Sequence, residues 1–153
     1  MKRVLLTGMS GTGKSTVVRE LVARGYRAVD TDDGWCEPTP DGRQRWRTAA
    51  MQQLLHTDTA DVLFVAGCEE NQVDFYDQFD QIILLAVPVD VLRRRVATRT
   101  TNPFGKSSDE LARILADHAE VEPLLRRAAG HEVNTAAPIA DVVEQILGLT
   151  IHH

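Results

Sequence analysis

Gly8-Met9-Ser10-Gly11-Thr12-Gly13-Lys14-Ser15-Thr16 decides how the rest of the chain is read. Its pattern is Gly, four residues, then Gly-Lys-Ser, the spacing of a phosphate-binding loop. Val4-Leu5-Leu6 ahead of it reads as a buried strand, and Ser15 to Arg24 behind it as a helix with Val17, Val18, Leu21 and Val22 on one face. That order lets backbone N–H groups and a helix N-terminus surround a polyphosphate. Gly8, Gly11 and Gly13 supply backbone conformations and close approach that a Cβ would block. Lys14 is expected at the terminal phosphates and the Ser15 hydroxyl on Mg²⁺. Ser10, Thr12 and Thr16 complete the predicted nucleotide cradle.

Working outward, Arg27-Ala28-Val29 reads as a second strand with Asp30 at its carboxyl end. The stretch 31–42 is rich in Asp, Gly and Pro and reads as a loop. Arg43 to His56 is predicted to be a helix with Trp46, Ala50, Gln53 and Leu54 on one face. Val62 to Ala66 and Ile82 to Val87 are continuous apolar runs, as buried parallel strands require. Between them Gly67 to Asn71 leads into a short polar helix or turn ending near Phe79. A basic helix follows from Val89 to Arg99, then a Pro- and Gly-containing loop, then a long helix from Leu111 that Pro123 should kink or divide. His131 to Asn134 reads as the last strand, and Ile139 to Leu147 as the closing helix. Strands alternating with helices specify a parallel sheet covered on both faces, with ligands at the carboxyl ends of the strands. The phosphate loop, Asp30 to Asp33 and Gly67 to Asn71 should therefore meet in one crevice.

The chain has 153 residues, enough for one domain with a substantial core. A net charge of -5 argues against a general nucleic-acid binder and against adhesion to anionic membranes. No apolar run reaches bilayer length, and no signal peptide is expected. Cys36 and Cys68 do not make a disulfide framework, so a reducing cytoplasm is the expected setting.

A phosphate loop holds a nucleotide but does not state the reaction. The acidic groups bear on that. Asp30 and Asp32, two apart after a strand, are expected on the same side, one near Mg²⁺ and one near an incoming hydroxyl. The competing reading is a turn of solvated acids. Arg95 and Arg99 share a helix face and could answer charge on a transferred group. The segment about 100–108 is a candidate lid. Trp35 and Trp46 flank the acceptor side, where they could stack on a ring, although for Trp46 a core position is favoured.

With these residues in place the chain resembles the small P-loop kinases of the shikimate kinase, gluconate kinase and nucleoside monophosphate kinase type. The resemblance is carried by Gly8 to Thr16, by Asp30-Thr31-Asp32, and by Val87-Pro88 followed by Asp90, Leu92, Arg95, Val96 and Arg99. It implies a three-layer α/β P-loop NTPase fold. The five strands just named would form one parallel sheet, with a short lid and an acceptor-binding segment about 31–60. It implies ATP and Mg²⁺ as cofactors, Ser15 and Asp30 toward the metal, Asp32 on the acceptor hydroxyl, and Lys14, Arg95 and Arg99 as catalytic cations. The expected partner is a small-molecule acceptor, without nucleic acid or membrane, in a monomer or weak dimer.

The chain departs from shikimate kinases where substrate is read. Gly67-Cys68-Glu69 stands where they have three glycines, and Glu122-Pro123 where they place Arg before Pro. A carboxylate meeting Glu122 would be repelled, so shikimate is disfavoured as substrate. Glu69, Glu70 and Asn71 make an acidic, hydrogen-bonding rim that suits a neutral or amine-bearing polyol, sugar or nucleoside, with a solvated turn as the competing reading. Two alternatives remain at this point. A nucleoside monophosphate kinase would use Arg43, Arg45 or Arg47 on an acceptor phosphate. A nucleotide-dependent switch would read guanine through Asn71-Gln72-Val73-Asp74, but no Asp-x-x-Gly precedes it.

Overall fold

Alternation along the strands decides which layer each side chain joins. In a computed structural model describing residues 2–9, 11–98 and 108–151, β1 (Lys2–Thr7) sits at the centre of a five-stranded sheet. It pairs in parallel with β5 (Val62–Ala66) on one side and β6 (Gln81–Ala86) on the other. β2 (Arg27–Asp30) lies beyond β5 and β7 (His131–Asn134) beyond β6, both parallel. The sequence-predicted strands are all present, and the fold is the expected three-layer α/β arrangement.

Val4 and Leu6 of β1, Phe64 and Ala66 of β5, and Ile83 and Leu85 of β6 point to one face. There they meet Val17, Val18 and Leu21 of α1 (Lys14–Ala23) and Val142, Val143 and Ile146 of α5 (Ile139–Thr150). Leu5, Leu63 and Val65 point the other way, onto Met51, Leu54 and Leu55 of α2 (Thr48–Thr57), Phe75 and Phe79. Further along that face, Leu84 and Ala86 pack on Leu125 of α4 (Ser108–Ala128). Each fully buried side chain of this size contributes roughly 1.5–3 kcal/mol, so both layers are needed to hold the sheet.

The expected helix from Arg43 is divided differently. Cys36–Pro38 (β3) and Gln44–Trp46 (β4) form an antiparallel hairpin, and α2 begins only at Thr48. Pro40-Asp41-Gly42 makes the turn: Gly42 N donates to Thr39 O at 3.1 Å, Thr39 N to Arg43 O at 2.8 Å, and Gly42 has φ +85°. Proline at the second turn position and glycine in the left-handed region are what such a turn demands. The buried face of α2 is therefore Met51, Leu54 and Leu55, while Gln53 is exposed and Trp46 belongs to the hairpin.

Two smaller expectations also change. Val22 is 53% exposed, because α1 turns only Val17, Val18 and Leu21 fully to the sheet. The helix α4 runs through Pro123 without dividing. Pro123 and Ala119 lie on its exposed side, where water can take the hydrogen bond that the proline ring denies. The segment Glu70–Gln78 is a 3₁₀ helix, and α3 spans Val89–Thr98. Ser10, Arg99 and the expected lid lie outside the described residues, apart from Ser108, which opens α4.

Candidate active site

The phosphate loop joins β1 to α1 at the carboxyl edge of the sheet. Gly8 is buried there, and a Cβ on it would stand 2.5 Å from the Leu85 carbonyl oxygen and 2.7 Å from Thr12 Oγ1. Gly11 and Gly13 have φ of 88° and 89°, which a side chain would strain. Gly13 caps α1 without any side-chain hydrogen bond, and the first turn of α1 contains no acidic residue. The leading N–H groups of the helix, which have no partner within it, are left for an anion.

Lys14 folds back over this loop, donating to Gly8 O at 2.6 Å and Met9 O at 3.1 Å. Burial holds its pKa below the ordinary lysine value, against the opposing pull of Cys68, Asp32, Asp30 and Glu69. These four groups belong to the two other segments expected in the crevice, so the three segments do converge. Gly67 makes room for the closest approach, since a Cβ there would collide with Thr31 Oγ1 and lie 3.1 Å from the Trp46 ring.

Asp30 stands at the end of β2, half-buried, and accepts from Ser15 Oγ at 2.6 Å through Oδ2. Its other oxygen accepts from the Asp32 backbone N at 3.1 Å, and Asp33 N donates to Asp30 O at 3.0 Å. Residues 31–34 thus form a turn closed by the Asp30 side chain. Asp30 and Asp32 come together through that turn, not through strand alternation, because the extended chain ends at Asp30. A hydroxyl and a carboxylate in contact are hard oxygen donors that fit a Mg²⁺ ion retaining several waters.

Gln44 was not among the sequence candidates. Carried in by the hairpin, its amide nitrogen donates to Asp32 Oδ1 at 3.1 Å and to Glu69 Oε1 at 2.8 Å. Cys36, from the same hairpin, lies 3.7 Å from Glu69 Oε1, and the Asp32, Cys36 and Glu69 ligand atoms fall within 4.8 Å of one another. Burial, reinforced by the charges of Glu69 and Asp32, pushes the Cys36 thiol up to about 12, so it stays protonated. Burial also raises the Glu69 pKa above its ordinary value, with the Asp32 charge adding to the effect and the Gln44 hydrogen bond opposing it. The signal for Gln44 was the Pro-Asp-Gly turn, which folds the hairpin back over Asp32.

Asn71 ties the hairpin to the 3₁₀ helix, accepting from Trp46 N at 2.9 Å and donating to Trp46 O at 3.0 Å. Gln72 completes a capping box with Glu69 and donates to Thr7 Oγ1 at 3.0 Å. Both amides are occupied structurally, which removes the guanine-reading interpretation of this stretch. Trp46 is fully buried, edge-on to Phe75 with ring centroids 5.5 Å apart, so it is core and not a stacking platform. Trp35 lines a separate open cavity with Arg27, Leu54 and Asp58. Arg45 pairs with Glu37 at 3.1 Å, Arg43 with Asp41 at 3.8 Å, and Arg47 donates to Gly34 O at 3.3 Å.

Arg95 reaches the phosphate loop from its carbonyl side, donating to Gly11 O at 3.1 Å and to both the hydroxyl and carbonyl oxygens of Thr135. Glu122 is buried and lies 2.7 Å from His118 Nε2 and 2.9 Å from Arg126 Nη2. Arg126 answers the Glu122 charge through this ion pair within α4. Arg126 is itself shared with Glu132 at 2.7 Å, so both of its carboxylate partners lie within the protein.

The family described as AAA domain matches residues 4–116. The chain belongs to that family. Similarity extends beyond the matched stretch. A shikimate kinase of Nitratidesulfovibrio vulgaris is 29% identical, over 96% of this chain and 94% of its own. Shikimate kinase from Bacteroides thetaiotaomicron, 20% identical, superposes with a TM-score of 0.68 over 97% of each chain. A gluconokinase from Sinorhizobium meliloti, 19% identical, superposes with a TM-score of 0.63 over 96% of this chain and 90% of that one. The family match, the full-length similarity to shikimate kinases and the fold support a small P-loop kinase, as the sequence resemblance implied. Among the described residues no helix is long and apolar enough to cross a membrane.

Proposed function

We propose that this kinase transfers the γ-phosphate of ATP to a hydroxyl of a small neutral or amine-bearing acceptor, such as a polyol, sugar, nucleoside or amino alcohol. The observation that carries this reading is the pair Asp32 and Glu69, bridged by one Gln44 amide beside the phosphate loop. Carboxylates accept hydrogen bonds from hydroxyl and ammonium groups, and they would resist an anionic acceptor.

The phosphate loop N–H groups and Lys14 would hold the polyphosphate. Lys14, held by two carbonyls and short of water, gains an anionic partner when nucleotide arrives. Ser15 and Asp30 would hold Mg²⁺, which when bound neutralises charge on the phosphates. Asp32, exposed and next to that pair, would orient the acceptor hydroxyl and accept its proton as the bond to phosphorus forms. Gln44 would keep the Asp32 carboxylate aimed into the crevice. Arg95 would steady the loop from behind, and Arg99 is retained as a proposed cation for the transferred group.

The test is ATP consumption across panels of sugars, polyols, nucleosides, nucleotides and amino alcohols, together with shikimate. The expected result is one phosphate ester formed per ATP consumed with a neutral or amine-bearing acceptor, and loss of that product in Asp32→Asn. Preference for a nucleoside monophosphate or a carboxylate acceptor would overturn the acceptor class. Slow hydrolysis indifferent to every small molecule would overturn the transfer reaction.

A further inference from the structure

Thr135 follows β7 and is buried, yet no part of the phosphate-loop pattern points to it. Its backbone N donates to Ala86 O at 2.9 Å, which fixes it at the carboxyl end of β6. Its hydroxyl donates to Thr12 O at 2.6 Å, across 123 positions of chain, and accepts from Arg95 Nη1 at 3.3 Å. Arg95 in turn donates to Gly11 O at 3.1 Å. Two successive carbonyls of the phosphate loop are thus held from outside by one threonine–arginine pair.

The orientation of those carbonyls matters because the peptide bond is planar and trans. The C=O of residue 12 and the N–H of residue 13 point in opposite directions, and the described residues contain no cis peptide. Drawing the Thr12 carbonyl toward Thr135 turns the Gly13 N–H the other way, away from Thr135 and toward the open N-terminus of α1. Gly13 itself sits at φ +89°, a conformation that glycine shares with alternatives nearly equal in energy. An external hydrogen bond is therefore what selects one of them. Thr12 closes the loop from inside, its N and Oγ1 donating to Met9 O at 3.2 and 2.7 Å.

We infer that Thr135 is a positioning residue for nucleotide: its hydroxyl, supported by Arg95, sets the peptide between Thr12 and Gly13 so that the Gly13 N–H faces bound phosphate. The role rests on the kinase reading of the phosphate loop, but it concerns the nucleotide and is independent of the acceptor. Thr135→Val keeps the shape and removes the donor, leaving the Thr12 carbonyl unpaired. Thr135→Ser keeps the donor and removes the methyl group.

The experiment is calorimetric titration of wild type, Thr135→Val, Thr135→Ala and Thr135→Ser with Mg·ADP and with a non-hydrolysable Mg·ATP analogue, alongside melting curves without nucleotide. Thr135→Val and Thr135→Ala should each bind about 3- to 10-fold more weakly, the usual worth of one hydrogen bond. Thr135→Ser should bind within about twofold of wild type. Melting temperature should fall in all three variants, in Thr135→Val from the unpaired carbonyl and in Thr135→Ala and Thr135→Ser from lost packing, so an affinity that holds in Thr135→Ser despite its lower melting temperature identifies positioning. If Thr135→Val binds like wild type, or if Thr135→Ser weakens binding as much as Thr135→Ala, the inference is overturned. Wild type that binds neither ligand would instead overturn the nucleotide reading itself, and the inference with it.

Discussion

The Ser15 hydroxyl donates to Asp30 Oδ2 at 2.6 Å, joining the first turn of α1 to the carboxyl end of β2. These are the two groups assigned to Mg²⁺. A metal arriving here would replace the hydroxyl proton as the carboxylate's partner, directly or through water. Asp30→Asn should therefore shift the Mg²⁺ concentration needed for half-maximal turnover upward, with the fold intact. A Mg²⁺ titration of both proteins at saturating ATP reads this. An unchanged titration would move Asp30 out of the metal site.

Lys14→Met should lower turnover by at least about 10²–10³-fold, the scale for losing a preorganised charge on the reacting group. Its fold should survive. Burial lowers the pKa of Lys14, so the charged side chain is a cost to the empty protein at neutral pH. That cost is absent above the ordinary lysine pKa and is present as pH falls through the folded value. The variant's melting temperature at pH 7 should accordingly equal or exceed that of wild type. Wild-type turnover in Lys14→Met would defeat the phosphate-loop assignment.

Asp32→Asn should reduce turnover by roughly 10²–10⁴-fold, the usual contribution of a positioned base, while ATP affinity barely changes. Asp33 is the internal control. It is exposed, and its backbone closes the turn while no side-chain bond ties it to Gln44 among the described hydrogen bonds. Turnover, acceptor KM and ATP affinity measured side by side for Asp32→Asn and Asp33→Asn discriminate the two. Equal losses would show that the turn, and not the Asp32 carboxylate, matters.

Glu69 provides a pH test. Burial first, and then Asp32, raises its pKa from an ordinary 4.5, and the Gln44 and Cys36 hydrogen bonds and Lys14 offset this only in part. A carboxyl whose folded pKa is raised contributes stability fully below its unfolded pKa and loses it as pH rises through the folded value. Glu69→Gln, which cannot ionise, should melt near wild type at pH 4 and above it at pH 7. Melting curves at the two pH values give the difference directly. A gap that is the same at both, or larger at pH 4, would reverse the assignment.

The sheet was legible because its signals are local. Leu63 to Ala66 and Ile83 to Ala86 are continuous apolar runs, and only strands buried on both faces need them. Gly8 to Ser15 was legible for a related reason: the loop's chemistry depends on backbone conformation, which glycines at fixed offsets dictate. Asp30 and Asp32 were legible as neighbours at the end of β2 and just beyond it, although the turn that unites them differs from the expected alternation. The hairpin was missed despite Pro40-Asp41-Gly42, because the Arg43 to His56 stretch also satisfies a helical pattern and local propensity is a weak arbiter.

By itself the sequence determined the order of the five sheet strands, the phosphate loop, and the acids at the end of the second strand and just after it. Each is set by residues near one another in the chain. Tertiary structure alone decided that Gln44 bridges Asp32 and Glu69, that Glu122 pairs with Arg126, and that Thr135 holds Thr12. The physical reason is that a hydrogen bond depends on distance and direction between two groups, not on their spacing along the chain. Thr12 and Thr135 stand 123 positions apart, and only the parallel pairing of β1 with β6 and of β6 with β7 brings them to 2.6 Å.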